Sequence, residues 1–98
     1  MPRLAIEEWE WDDGNLGELA RHGVSRSVVL SVALEHPRFR RNRTERSATF
    51  QMIGPDRGGA LWTICIVETI LRGRWRAVTG WPSEAGDKAW YERSKAGH

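Results

Sequence analysis

"ALWTICIVETILRGRWRAVTGW", residues 60–81, holds the longest apolar run of the chain and an arginine-rich segment directly after it. Its first part, "ALWTICIVE" (60–68), is apolar at odd and even positions alike, the pattern of a central strand covered on both faces. "TILRG" (69–73) turns the chain, and "RWRAVTGW" (74–81) returns as a second strand. Alternation along it groups Arg72, Arg74 and Arg76 on one face, with Trp75 and Ala77 on the other. Upstream, "PDRGG" (55–59) is a turn between strands. "RFRRNRTERSATFQMIG" (38–54) before it reads as two extended pieces joined by a polar turn near Asn42 to Glu45. Downstream, Pro82 and Ser83 are helix-start residues, and Ala85, Ala89 and Trp90 supply a packing face for the helix that follows.

The first third of the chain has a different period. "EEWEW" (7–11) alternates acid and indole, as a short edge strand does with Trp9 and Trp11 turned inward. Asp12 or Asp13 can cap the next helix by accepting its free N–H groups, and Leu16, Leu19 and Ala20 form its narrow apolar stripe. Gly23 is placed to end it in the left-handed conformation. Ser25 caps a second helix with Val28, Val29, Val32 and Ala33 inside, and "HP" at 36–37 closes it because Pro37 disfavours helix at His36. The expected class is α+β: an antiparallel sheet with two N-terminal helices and one C-terminal helix.

A chain of 98 residues makes one domain (1–98, with about 9–92 as its ordered core), and six tryptophans give it a thin but real core. No apolar run approaches the roughly 18 to 20 residues of a membrane span, and "MPRLAIEEWEWDD" has no apolar signal-peptide core. Cys65 is the only cysteine, which excludes an internal disulfide; inside "LWTICIVE" it reads as a buried, inert thiol. The expected compartment is a reducing, cytoplasmic one. The net charge of +2 conceals a split: residues 1–37 carry −4 and residues 38–98 carry +6. Most of that positive charge is arginine, whose planar fork matches phosphate, so the second half is expected to face an anion.

Four sets of residues are candidates for chemistry. Arg38, Arg40, Arg41, Arg43 and Arg46 crowd nine residues; they form either a ridge for a phosphate backbone or a charged edge that discourages aggregation. Arg72, Arg74 and Arg76 either meet RNA or pair with Glu68 or Glu84. His22, before Gly23, either carries a proton or binds phosphate, or it bonds the free carbonyls at a helix end. Tyr91, near Lys88 and Arg93, either polarises a hydroxyl or packs with its own hydroxyl at the rim. The three histidines and single cysteine have no metal-ligand spacing, and "GPDRGG" does not fit a nucleotide fingerprint, so no cofactor is expected.

Together the segments resemble a known family. "WDDGNLGELARHGVS" (11–25) is similar to the opening of the BrnT toxins: Trp-Asp, a helix containing Asn, then a basic residue and His-Gly-Val. "TFQMIG" (49–54) resembles their Phe-x-x-x-Gly strand end, and Asp87, Lys88 and Tyr91 match their last helix. The resemblance spans about residues 9 to 92. It implies a RelE-like fold and the toxin of a type II toxin–antitoxin pair, a metal-independent endoribonuclease neutralised by a ribbon-helix-helix DNA-binding antitoxin. In such a site the 2′-hydroxyl attacks the adjacent phosphate and cationic groups stabilise the developing charge. On this reading Arg76 and Arg46 are phosphate clamps, Tyr91 or His22 carries a proton, and Arg40, Arg41, Arg43, Arg74 and Trp81 bind RNA, Trp81 by stacking. The alternative is a non-catalytic module that binds RNA or an antitoxin on the same fold. The chain departs from the family at Thr49 and Trp81, where basic residues are usual. Whether the protein forms a homo-oligomer stays open. Arg46, Arg76 and Tyr91 are expected to converge on one phosphate, and an apolar patch is expected where the first helices meet the sheet edge.

Overall fold

The computed structural model describes residues 4–43 and 48–96. Its elements follow the order β1 (Glu8–Trp9), α1 (Asp13–Arg21), α2 (Arg26–Leu34), β2 (Arg38–Arg41), β3 (Phe50–Pro55), β4 (Leu61–Glu68), β5 (Arg74–Pro82) and α3 (Ala85–Ala96). The five strands form one sheet in the order β1-β5-β4-β3-β2. β1 runs parallel to β5, and every other pair is antiparallel. This is an α+β fold with two helices before the main run of strands and one after it. Among the described residues no helix is long and apolar enough to cross a membrane.

The helix ends form for the reasons their residues suggest. Asp12 caps α1 by accepting from the Asn15 N–H at 3.0 Å, and Asn15 Oδ1 accepts from the Asp12 N–H in return, a closed capping box. Asn15 is itself buried, and its Nδ2 donates to the Glu10 and Ala77 carbonyls, which ties α1 to β5. Gly23 ends the turn after α1 at φ 78°, a conformation that costs glycine nothing. Ser25 caps α2 through the Val28 N–H. His36 is the one described non-glycine residue with positive φ, at 47°. Pro37 disfavours the right-handed helical region at His36, and the left-handed conformation it adopts is strained for a residue with a Cβ.

α1 and α2 bury Leu19, Val24, Val29 and Val32 against Met52, Ile64, Ile66, Trp75 and Ala77 on one face of the sheet. The alternate residues Gln51, Ile53, Thr63 and Cys65 are equally buried and face the other way, under α3. β4 is therefore covered on both faces, as its composition requires. Cys65 is a buried free thiol. In β5 the alternation is interrupted. Ala77 pairs with Ile66 and Thr79 with Cys65, so Val78 is an extra, bulged residue. The bulge moves Thr79 and Trp81 from the α1–α2 face to the α3 face.

Candidate functional site

Strand register lays out the α3 face in rows. One row runs Arg40, Gln51, Cys65, Thr79 from β2 to β5. Arg38, Ile53, Thr63 and Trp81 form the row beside it, and α3 lies over that row. Asp87, in the first turn of α3, accepts from Arg40 Nη2 at 2.5 Å, from Thr63 Oγ1 at 2.8 Å and from Trp81 Nε1 at 3.4 Å. Burial pushes the Asp87 carboxyl up, but the hydrogen bonds from Thr63 and Arg40 and the Arg40 charge more than offset it, and its pKa falls below the ordinary carboxylate range. Arg40 is held on two further sides. Its Nε donates to Gln51 Oε1 at 2.7 Å, and its guanidinium lies 4.9 Å from the Trp90 ring centroid.

That fixed guanidinium opens onto a cavity of about 270 Å³ lined by Arg40, Arg41, Arg43 and Gln51. Arg41 and Arg43 are exposed, and Arg41 leans on the Phe50 ring at 5.3 Å. Arg40, Arg41 and Arg43 thus line one cavity, with the Arg40 guanidinium paired to Asp87 and that of Arg41 over the Phe50 ring. Arg46 falls outside the described residues.

The second arginine set is not open. Arg76 forms a bidentate pair with Asp12, at 2.7 and 2.9 Å, and also donates to Glu10 at 3.1 Å. Arg74 lies 3.4 Å from Glu10 and 3.7 Å from Glu8. Arg76 holds the Asp12 carboxyl down at about 2, with help from the Asn15 N–H, and Asp12 in turn raises the pKa of Arg76. The sequence offered Glu68 or Glu84 as partners, but the acids that pair come from the first segment of the chain. Glu68 accepts instead from the Gly73 N–H. The arginines join β5 to β1 and to the start of α1, which is a structural task. Arg72 stands exposed in the turn before them.

His22 caps the end of α1, where its backbone N–H donates to the Leu19 carbonyl and the Gly23 N–H to the Ala20 carbonyl. Its half-exposed imidazole meets Glu18 Oε2 through Nε2 at 3.2 Å, and the same oxygen accepts from Thr79 Oγ1 at 3.2 Å. Arg21 holds the other Glu18 oxygen at 2.7 Å. Tyr91 is buried, and its hydroxyl donates to the His36 carbonyl at 2.9 Å.

The expected convergence of Arg76 and Tyr91 does not occur. Arg76 pairs with Val67 at one end of the face, and Tyr91 reaches the chain ahead of β2 at the other. By strand geometry the two sites lie about 20 Å apart along the strands and about 14 Å across them. Tyr91 comes back across the sheet, as expected, but to pin the His36 turn. Trp81 spends its N–H on Asp87. What the structure does bring together is Arg40, Arg41 and Arg43. Sequence reasoning missed Gln51 and the arginine-locking role of Asp87. An acid in the first turn of the last helix was visible, but its partner was not. No protein-family model and no curated protein matches the chain.

Proposed function

We propose that this protein is an RNA-binding toxin of a type II toxin–antitoxin pair, acting in the cytoplasm and engaging RNA phosphate through the arginine pocket at β2. The observation that carries the reading is the guanidinium of Arg40, fixed by Asp87, Gln51 and Trp90 beside the exposed Arg41 and Arg43. A free arginine loses side-chain entropy when it grips a phosphate; one already held does not. The choice of RNA as the polyanion, and of an antitoxin as partner, rests on the resemblance of residues 11–25, 49–54 and 87–91 to BrnT toxins.

Cleavage is a second reading, favoured by one observation. The His22 imidazole is oriented by Glu18, as general bases commonly are by a carboxylate. Glu18 also touches Thr79, which shares a row with Arg40 three strands away, about 14 Å by strand spacing. A strand of RNA lying along that row reaches both groups with different nucleotides.

The test is fluorescence anisotropy with a labelled single-stranded RNA, followed by incubation of the same RNA in EDTA. Binding by the wild type that Arg41→Ala/Arg43→Ala weakens about tenfold or more supports the pocket. Cleavage in EDTA that His22→Ala abolishes, with binding kept, adds the second reading. Wild-type protein that neither binds nor cleaves RNA overturns both.

A further inference from the structure

The outer face of α2 carries no charge. Val29 and Val32 are buried in the core, while Ser27, Leu30 and Leu34 are exposed and Ser31 is half-buried. Between Arg26 and Glu35 the helix has no charged residue, in a chain that is 29% charged. Charge-free surface of this kind is typical of the centre of a protein contact. Leu30 and Leu34, four residues apart, form one ridge along the helix, with Leu34 80% exposed. Ser27 and Ser31 form the row beside it. Cavities flank the ridge on both sides, with polar groups on their far walls: Asp56 and Arg57 on one side and Glu7 on the other.

The serine row can be covered without loss. Ser31 Oγ accepts from the Arg57 N–H at 2.7 Å, and Ser27 Oγ shares a hydrogen bond of 2.9 Å with Ser25 Oγ. Removing water from this row therefore leaves neither hydroxyl oxygen without a partner.

A second α2 matches this face when it runs antiparallel to the first. The leucines of the two copies then interleave along one line, and the small serines let the backbones approach. Charges fall at the ends. Arg26, at the start of one helix, comes to the end of the other, where Glu35 stands. Arg26 is exposed, with its guanidinium 5.2 Å from the Trp11 ring centroid. Neither Arg26 nor Glu35 has an ion-pair partner among the described residues. A parallel arrangement would instead set Arg26 against Arg26. The antiparallel one also opposes the two helix dipoles favourably.

We propose that α2 is the contact surface of a homodimer, in which a second copy of this chain packs its own α2 antiparallel on the first about a two-fold axis. The occupant is a second copy because the face complements itself in shape and in charge. Two nine-residue helices make a small interface, so the dimer forms and dissociates with concentration. The proposal does not rest on the RNA reading, and its test contains no RNA.

The test is sedimentation velocity of the full chain at about 5 to 500 µM, a range that brackets micromolar association. The expected result is a monomer that passes to a dimer as concentration rises. Leu34→Glu should weaken association about tenfold or more, because the contact then buries unpaired carboxylates. Leu34 is exposed in the single chain, so the variant should keep the wild-type melting temperature. Arg26→Glu and Glu35→Arg should each weaken association about threefold or more, and Arg26→Glu/Glu35→Arg should restore it by re-forming both end pairs. A monomer throughout overturns the proposal and leaves the face for a different protein to cover. A dimer that Leu34→Glu leaves intact forms elsewhere on the chain and overturns it too. So does a double charge variant that associates no better than the single ones, since the helices then do not pair antiparallel. An RNA assay that fails while the dimer forms refutes only the RNA reading, and the reverse result refutes only this one.

Discussion

The Arg40 guanidinium and the Asp87 carboxylate, 47 residues apart in the chain, meet at 2.5 Å on the α3 face of the sheet. The pair does two things at once. It fastens the start of α3 to β2, and it holds Arg40 at the mouth of the arginine pocket. α3 has little else to hold it, since Tyr91 is its one buried residue among those described. The polar cluster around Asp87 therefore carries much of the helix's attachment.

Asp87→Asn should lower stability by about 1–3 kcal/mol, because Thr63, Trp81 and Arg40 lose a charged acceptor. Urea denaturation measures this. RNA affinity should fall with it, since a released Arg40 must be ordered again on binding. Unchanged stability in the variant would show that α3 is held by packing alone.

The Asp12–Arg76 pair makes a prediction about acid. The Asp12 carboxyl is held at about 2, below its ordinary 3.8, so the folded state binds the proton more weakly than the unfolded state. Its contribution is complete above pH 3.8 and is lost as pH falls toward 2. NMR titration of the carboxyl should give a midpoint near the lower value. In Asp12→Asn that part of the acid-induced loss of stability should disappear, and Arg76→Ala should return the Asp12 midpoint toward 3.8.

His36 and Tyr91 form a strained turn and its pin. Tyr91→Phe should cost about 1 kcal/mol by removing the donor to the His36 carbonyl. His36→Gly should be tolerated or raise the melting temperature, because relief of left-handed strain offsets the flexibility of glycine. His36→Val should lower it. A melting temperature indifferent to all three changes would remove this turn from the account of stability.

Much of the fold was legible because short-range rules governed it. Asp12, Gly23 and Ser25 act at helix ends as their chemistry directs, and the two-faced apolar run of β4 could only be central. Sequence fails where one residue changes the period. Strict alternation from Trp75 puts Thr79 and Trp81 on the α1–α2 face, but the bulge at Val78 sends both to α3. The site was legible as a composition and not as a geometry. Arginines were visible, but which of them were already spent was not, because Glu10 and Asp12 meet Arg74 and Arg76 from the far end of the chain. Beside α2 lies a cavity with Trp9 half-buried in its wall, but no residue of α1 lines it and Glu7 does, so it is not the apolar patch expected where both first helices meet the sheet edge.

If RNA phosphate is gripped at β2, the salt dependence of RNA affinity should fall when the arginines there are removed. Removing the side chain that neutralises one phosphate should flatten the slope of log affinity against log salt by about 0.7 on single-stranded RNA. Arg41→Ala/Arg43→Ala should reduce the slope by about 1.4, the value for two phosphates. Arg57→Ala/Arg72→Ala removes the same charge from exposed positions away from the pocket and should leave the slope unchanged. Equal reductions in the two double variants would mean that charge alone attracts RNA and that the arginine pocket is not its site.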